Sequence, residues 1–210
     1  VIFRPPGGAE RPSDLYTNPA PMADIARYWY DKQFKPLFTA VSNTYPTNPL
    51  YFTLTNEAAG TDEHEIVTHI SYERELCKLA KADGFRCVIG KLANGTPDWD
   101  SGLWQKYYAP WIVEAWNEYN AIYGRHVYGG DLVTDAGTVS KAYPFYPYRI
   151  IDELEILRGL NYQGGVFLCE VGLDGGYGLA SFDRFYFQVT KFEQALRQYS
   201  DIVIGFAWWE

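Results

Sequence analysis

Leu50-Tyr51-Phe52-Thr53-Leu54-Thr55-Asn56-Glu57 is a short apolar run that ends on a carboxylate. A later run, Gly164-Gly165-Val166-Phe167-Leu168-Cys169-Glu170, ends in the same way, and helical patterns fill the interval between them. Continuous apolar runs, as opposed to alternating ones, suit parallel strands covered on both faces. In a parallel barrel the carboxyl ends of all strands face one mouth, so two glutamates far apart in sequence can meet across one pocket.

Working outward from this stretch, the same order of strand then helix repeats along the chain. Strand starts fall near residues 1, 50, 86, 125, 165 and 202. Val1-Ile2-Phe3 stops at the breakers Arg4-Pro5-Pro6-Gly7-Gly8, and residues up to Pro21 read as loop. Ile25, Tyr28, Trp29, Phe34, Leu37 and Phe38 predict an amphipathic helix from Ala23 to about Val41, disturbed at Pro36. A helix is expected from Glu63, capped by Thr61 or Asp62 and closed by Asp83-Gly84. Phe85 to Leu92 is the next strand. A helix follows whose inner face is Leu103, Tyr107, Trp111, Ala115 and Tyr119. Arg125 to Gly130 is a short strand, Ile150 to Leu160 a helix, Gly165 to Glu170 a strand, and Val171 to Gly178 a loop. The chain closes with a helix from Phe182 to about Tyr199 and a strand from Asp201 that carries Trp208 and Trp209.

This alternation predicts the α/β class. An open wound sheet that binds a nucleotide would need a glycine-spaced phosphate turn after its first strand, which Arg4-Pro5-Pro6-Gly7-Gly8 lacks. A TIM (β/α)8 barrel is favoured because functional-looking residues follow the strands: Arg4, Glu57, Asn94, Asp131, Glu170 and Trp208. Six strands are visible where closure needs eight. The expectation is one barrel domain over residues 1–210, with about the last six β/α units present and the first two missing, which would take roughly 60 to 90 residues upstream.

At 210 residues the chain is long enough for one sizeable core. Its charge of -8, from 18 basic and 26 acidic residues, argues against a nucleic-acid partner. No apolar run reaches the length of a membrane span. Aromatic residues are 18% of the chain, more than a core alone usually uses, and sugar faces stack on such rings. Trp99, Tyr143, Phe145, Tyr146 and Tyr177 are candidate platforms along a glycan cleft, whereas Trp104 reads as core. Asp131 and Asp174 read as turn residues, with binding of sugar hydroxyls as the alternative. Cys77, Cys87 and Cys169 read as buried thiols, with a Cys77 to Cys87 bridge as the alternative, and they leave the compartment open. His64, His69 and His126 lack the spacing of a zinc site, and no Gly-x-Ser-x-Gly elbow is present. No metal or organic cofactor is implied.

The Asn56-Glu57 pair ending one strand, Glu170 ending a strand three places later and Trp208 ending the last resemble the large superfamily of retaining glycoside hydrolases built on (β/α)8 barrels, which includes cellulases, mannanases and β-galactosidases. Counting back from the Trp208 strand as the eighth puts Glu170 on the seventh, Tyr128 on the sixth, Glu57 on the fourth and Arg4 on the third. The resemblance implies Glu57 as acid/base, Glu170 as nucleophile, Asn56 at the sugar 2-hydroxyl and Trp208 at the subsite beside the cleaved bond. It implies a Tyr near the nucleophile, for which Tyr128 stands unless it points into the core, and Arg4 matches only loosely. The partner expected is an oligo- or polysaccharide with β linkages, and a secreted or extracellular location is the favoured expectation. The alternative is a non-catalytic carbohydrate-binding or scaffold barrel, joined to the missing part or to a larger assembly.

Overall fold

In the computed structural model the strands form one six-stranded parallel sheet in the order β1-β2-β3-β4-β5-β6. They are β1 (Ile2–Phe3), β2 (Tyr51–Thr53), β3 (Cys87–Leu92), β4 (Ile122–Gly129), β5 (Val166–Leu173) and β6 (Val203–Trp208). The structure describes residues 2–3, 15–58, 60–93, 95–129, 131–141, 147–173 and 182–208. A doubly wound sheet reverses its strand order at a switch point. This sheet never does. Because parallel crossovers are right-handed, a one-way order keeps every connecting helix on one face of the sheet. The result is the wall of a (β/α) barrel, built from six consecutive units.

The helices are α1 (Met22–Trp29), α2 (Lys35–Thr44), α3 (Glu63–Ala82), α4 (Ala109–Tyr119), α5 (Arg149–Gly159) and α6 (Phe182–Leu196). The expected single helix from Ala23 is interrupted by a π-helical turn at Tyr30–Phe34, where Lys35 N–H donates to Tyr30 C=O. A second π turn, Trp104–Tyr108, precedes α4, where Ala109 N–H donates to Trp104 C=O. Pro36 and Pro110 each lie two residues past the end of their turn. A proline ring clashes with the carbonyl four residues back, and widening the turn by one residue relieves the clash. The second π turn also rotates the expected buried face. Trp104, Tyr108 and Ile112 are fully buried, while Leu103, Tyr107 and Tyr119 are half-buried.

Helix α3 forms where its caps dictate. Asp62 accepts from Glu65 N–H at 2.9 Å, and the Glu65 carboxylate accepts from Thr61 N–H at 2.9 Å. At the other end Phe85 N–H reaches Ala80 C=O and Gly84 N–H reaches Lys81 C=O, a Schellman closure with Gly84 at φ 81°. β4 begins three residues before the expected Arg125, and β5 runs on through Val171, Gly172 and Leu173, which the sequence assigned to loop.

Among the described residues, many aromatic rings are core. Phe38 stacks on Phe52 at 4.1 Å between ring centroids, and Phe85 packs edge-on to both at 5.5 Å. Tyr30, Tyr72, Trp104, Tyr108, Trp111 and Tyr123 are fully buried between helices and sheet. Cys77, Cys87 and Cys169 are free thiols, the first two buried. No helix of the described residues is long and apolar enough to cross a membrane.

Candidate active site

Glu57 lies just past β2, where its N–H donates to Lys91 C=O at 2.9 Å and its φ is 50°. A non-glycine residue in that region is held there by its surroundings. The carbonyl it meets comes from a β-bulge: Gly90 pairs with Gly124 and Leu92 with Arg125, leaving Lys91 as an extra residue in β3. Gly90 takes φ 85°, which only glycine adopts without cost.

One buried carboxylate ties these pieces together. Glu73 on α3 accepts from Thr55 Oγ1 at 2.6 Å, Gly90 N–H at 2.9 Å and Trp111 Nε1 at 3.0 Å. Thr55 is two residues before Glu57, and Gly90 is one residue before the carbonyl that Glu57 binds. His69 packs beside them, with Nε2 3.2 Å from Thr55 Oγ1 and Nδ1 2.9 Å from the Tyr108 hydroxyl.

Glu170 reaches the same side through a second bulge. Leu168 pairs with Arg125 and Glu170 with His126, so Cys169 is extra in β5. The surplus residue changes the face on which Glu170 emerges and sets it level with His126. Gly124 makes room below: a Cβ there would come within 2.9 Å of both Cys169 Sγ and Lys91 Cγ. Burial pushes the Cys169 thiol up to about 12, so it stays protonated near neutrality.

The three side chains converge. His126 Nδ1 lies 2.8 Å from Glu57 Oε1 and 3.7 Å from Glu170 Oε2. One ligand atom from each of Glu57, His126 and Glu170 lies within 4.8 Å of the others. Tyr128 donates its hydroxyl hydrogen to Glu170 Oε2. The imidazole is 1% exposed, and its Nε2 has no hydrogen-bond partner among the described residues. A proton occupies the His126–Glu57 contact in either tautomer. Nδ1–H donates to an ionised Glu57, or a protonated Glu57 donates to Nδ1.

Sequence reasoning overlooked His126, which it weighed only as a metal ligand at helical spacing. The signal was strand alternation. In His126-Val127-Tyr128 the outer two residues share one face, and Tyr128 was already a candidate.

The remaining expectations divide. Asn56 Oδ1 is shielded and has no donor among the described residues. Trp99 is half-buried, with its ring 5.8 Å from that of Trp104 and 5.2 Å from the Arg149 guanidinium. The loop that carries it is pinned by two buried arginines. Arg125 donates to Leu92 and Ala93 carbonyls at 2.9 Å and Arg149 to Pro97 C=O at 2.6 Å, and both pair with Glu153. Asp131 is held by Arg184 at 2.7 Å. Trp208 has its backbone in register with Val171, the residue after Glu170. Arg4, Asn94, Tyr143, Phe145, Tyr146, Asp174 and Tyr177 lie outside the described residues. A cleft lined by Tyr45, Leu50, Phe85 and Arg86 opens where β2 and β3 begin, at the opposite end of the wall from the carboxylates.

The sequence matches no protein-family model and no curated protein. Solved structures do match. An endo-β-1,4-glucanase from Xanthomonas axonopodis pv. citri carrying three substitutions aligns over 92% of this chain and 57% of its own, with TM-score 0.52 and 16% identity. A second endo-β-1,4-glucanase from that organism aligns over 82% and 53%, with TM-score 0.52 and 18% identity. XacCel5A in complex with cellopentaose aligns over 100% and 62%, with TM-score 0.51 and 13% identity. The chain shares their fold. It spans between 53% and 62% of the length of these structures.

Proposed function

We propose that the chain carries the catalytic centre of a retaining glycoside hydrolase acting on β-linked glycans, with Glu57 as acid/base and Glu170 as nucleophile. The observation that supports this most is the closeness of the two carboxylates, which have oxygens within 4.8 Å of one another. Retaining enzymes hold their carboxyl groups about 5 to 5.5 Å apart, whereas inverting ones leave about 6.5 to 9.5 Å for a water. That closeness suits a division of labour in which one carboxyl supplies the proton and the other attacks.

The surroundings suit that division. The Tyr128 hydroxyl donates to Glu170 and so orients the carboxylate for attack. The Glu57 side chain is 42% exposed against 24% for Glu170. Glu57 therefore has the better access to exchange its proton with water, and Glu170 is the better shielded nucleophile. In the first step Glu170 attacks the anomeric carbon while Glu57 protonates the departing oxygen. In the second, water attacks the anomeric carbon as Glu57 takes its proton, and the bond from the sugar to Glu170 breaks. Asn56, next to Glu57 in the sequence, is the candidate for contact with the sugar 2-hydroxyl. Tyr128 holds the nucleophile, and Trp208 is the candidate for the adjoining subsite.

The fold-sharing structures include endo-β-1,4-glucanases, so a soluble β-1,4-glucan is the first substrate to try. Release of reducing ends should fall by about 10³-fold in both Glu57→Gln and Glu170→Gln, with glycan binding retained. Undiminished hydrolysis by Glu170→Gln would remove the assignment.

A further inference from the structure

We infer that Glu57, His126 and Glu170 form a binding site for a divalent transition-metal ion of the Zn²⁺ or Cu²⁺ class, and that the ion switches the site off. Zinc binds imidazole nitrogen and carboxylate oxygen at about 2.0 to 2.2 Å, so neighbouring ligand atoms around a tetrahedral ion sit about 3.4 Å apart. The spacings here bracket that value: Nδ1 of His126 is 2.8 Å from Glu57 Oε1 and 3.7 Å from Glu170 Oε2. The third spacing, between Glu57 and Glu170, is within 4.8 Å. Imidazole is the ligand that selects the ion. One nitrogen beside two carboxylates suits zinc and copper, whereas magnesium and calcium take oxygen ligands with several waters.

The ligand set also suits an inhibitor better than a resident cofactor. An ion held here ties down the oxygen of Glu57 that must carry a proton and the oxygen of Glu170 that must attack. Metal-binding histidines are commonly steadied by an acceptor on the other ring nitrogen, and its loss lowers affinity about 10- to 100-fold. His126 Nε2 is buried without such a partner among the described residues. Reversible binding is the expected result. The binding stands independently of the proposed reaction, while the inhibition rests on it.

Isothermal titration of the chain with ZnCl2, and with MgCl2 as control, is the test. A single zinc per chain is expected, weakened at least tenfold in Glu57→Gln and in Glu170→Gln, with no heat from magnesium. These carboxamides keep side-chain shape, so the fold is preserved. With CuCl2, electron paramagnetic resonance should show one coordinating imidazole nitrogen, lost in His126→Gln. If the chain hydrolyses β-1,4-glucan, zinc should suppress the rate and EDTA restore it. Absence of zinc binding up to millimolar concentration, binding unaffected by both carboxamide substitutions, or hydrolysis untouched by saturating zinc would overturn the inference. A chain that binds zinc as described but hydrolyses no glycan would sink the hydrolase reading and leave the metal site standing.

Discussion

Glu170 faces the pocket because Cys169 is one residue too many for the strands on either side. From Leu168 to Val171, β5 advances three residues while β6 advances two, and against β4 the same surplus appears. Strict alternation cannot reveal which face a residue beyond a bulge takes. The Asn56-Glu57 and Glu170 positions were legible as carboxylates at strand ends, but their meeting depended on two bulges that leave no mark on composition. Two expectations belong at this scale. Tyr128→Phe deletes the hydrogen bond to Glu170 with no change of shape, so kcat on a β-1,4-glucan should drop about 10- to 100-fold with little change in KM. An unchanged kcat would show that the hydroxyl is idle. The second concerns pH. The Cys169 thiol is raised from 9.0 to about 12 in the fold, so below the unfolded value it is protonated in both states. Between those values only the unfolded chain ionises, so the stability that the neutral thiol contributes is lost as pH rises. Denaturant midpoints at pH 8 and pH 10 should therefore differ less in Cys169→Ala than in the unsubstituted chain. Equal differences would place the alkaline sensitivity elsewhere.

At the scale of elements, α3 does more than cover the sheet. Its caps were readable from Thr61, Asp62 and Asp83-Gly84, because capping chemistry is local. Its buried Glu73 was not, since a glutamate in a helix most often faces water and only tertiary contacts show that this one meets Thr55, Gly90 and Trp111. The π turns were missed for a related reason. Pro36 signalled a break, but whether a helix kinks, stops or widens there depends on the packing of Tyr30 and Phe34, both fully buried. Glu73→Leu leaves the Gly90 and Trp111 N–H groups buried without an acceptor and the Thr55 hydroxyl with His69 alone, a loss of about 3 kcal/mol in urea denaturation. Glu73→Gln keeps one acceptor and should lose less stability, yet kcat per folded molecule should still fall, because Thr55 and Gly90 set the placement of Glu57. Full kcat in folded Glu73→Gln would limit this residue to a structural part.

On the scale of the whole molecule, six apolar runs at regular spacing were enough to read parallel β/α units. What decides a barrel wall over a wound sheet is strand order, and only the pairing supplies it. The 18% aromatic content was legible as a number, but which rings fill the layer between helices and sheet, as Trp104, Trp111 and Tyr123 do, takes the packing to show. Arg125 and Arg149 have a similar lesson: charged residues in a strand and at a helix start, they are buried against Glu153 and fix the loop beyond β3. The mouth of this wall is where the two carboxylates, His126 and Tyr128 gather, and the proposed chemistry depends on their joint geometry. Its most direct test is the anomeric form of the sugar first released from a β-linked oligosaccharide, followed by proton NMR before mutarotation. Initial release of the β-anomer is the outcome expected of a nucleophilic Glu170 beside an acid/base Glu57. Initial release of the α-anomer would contradict it.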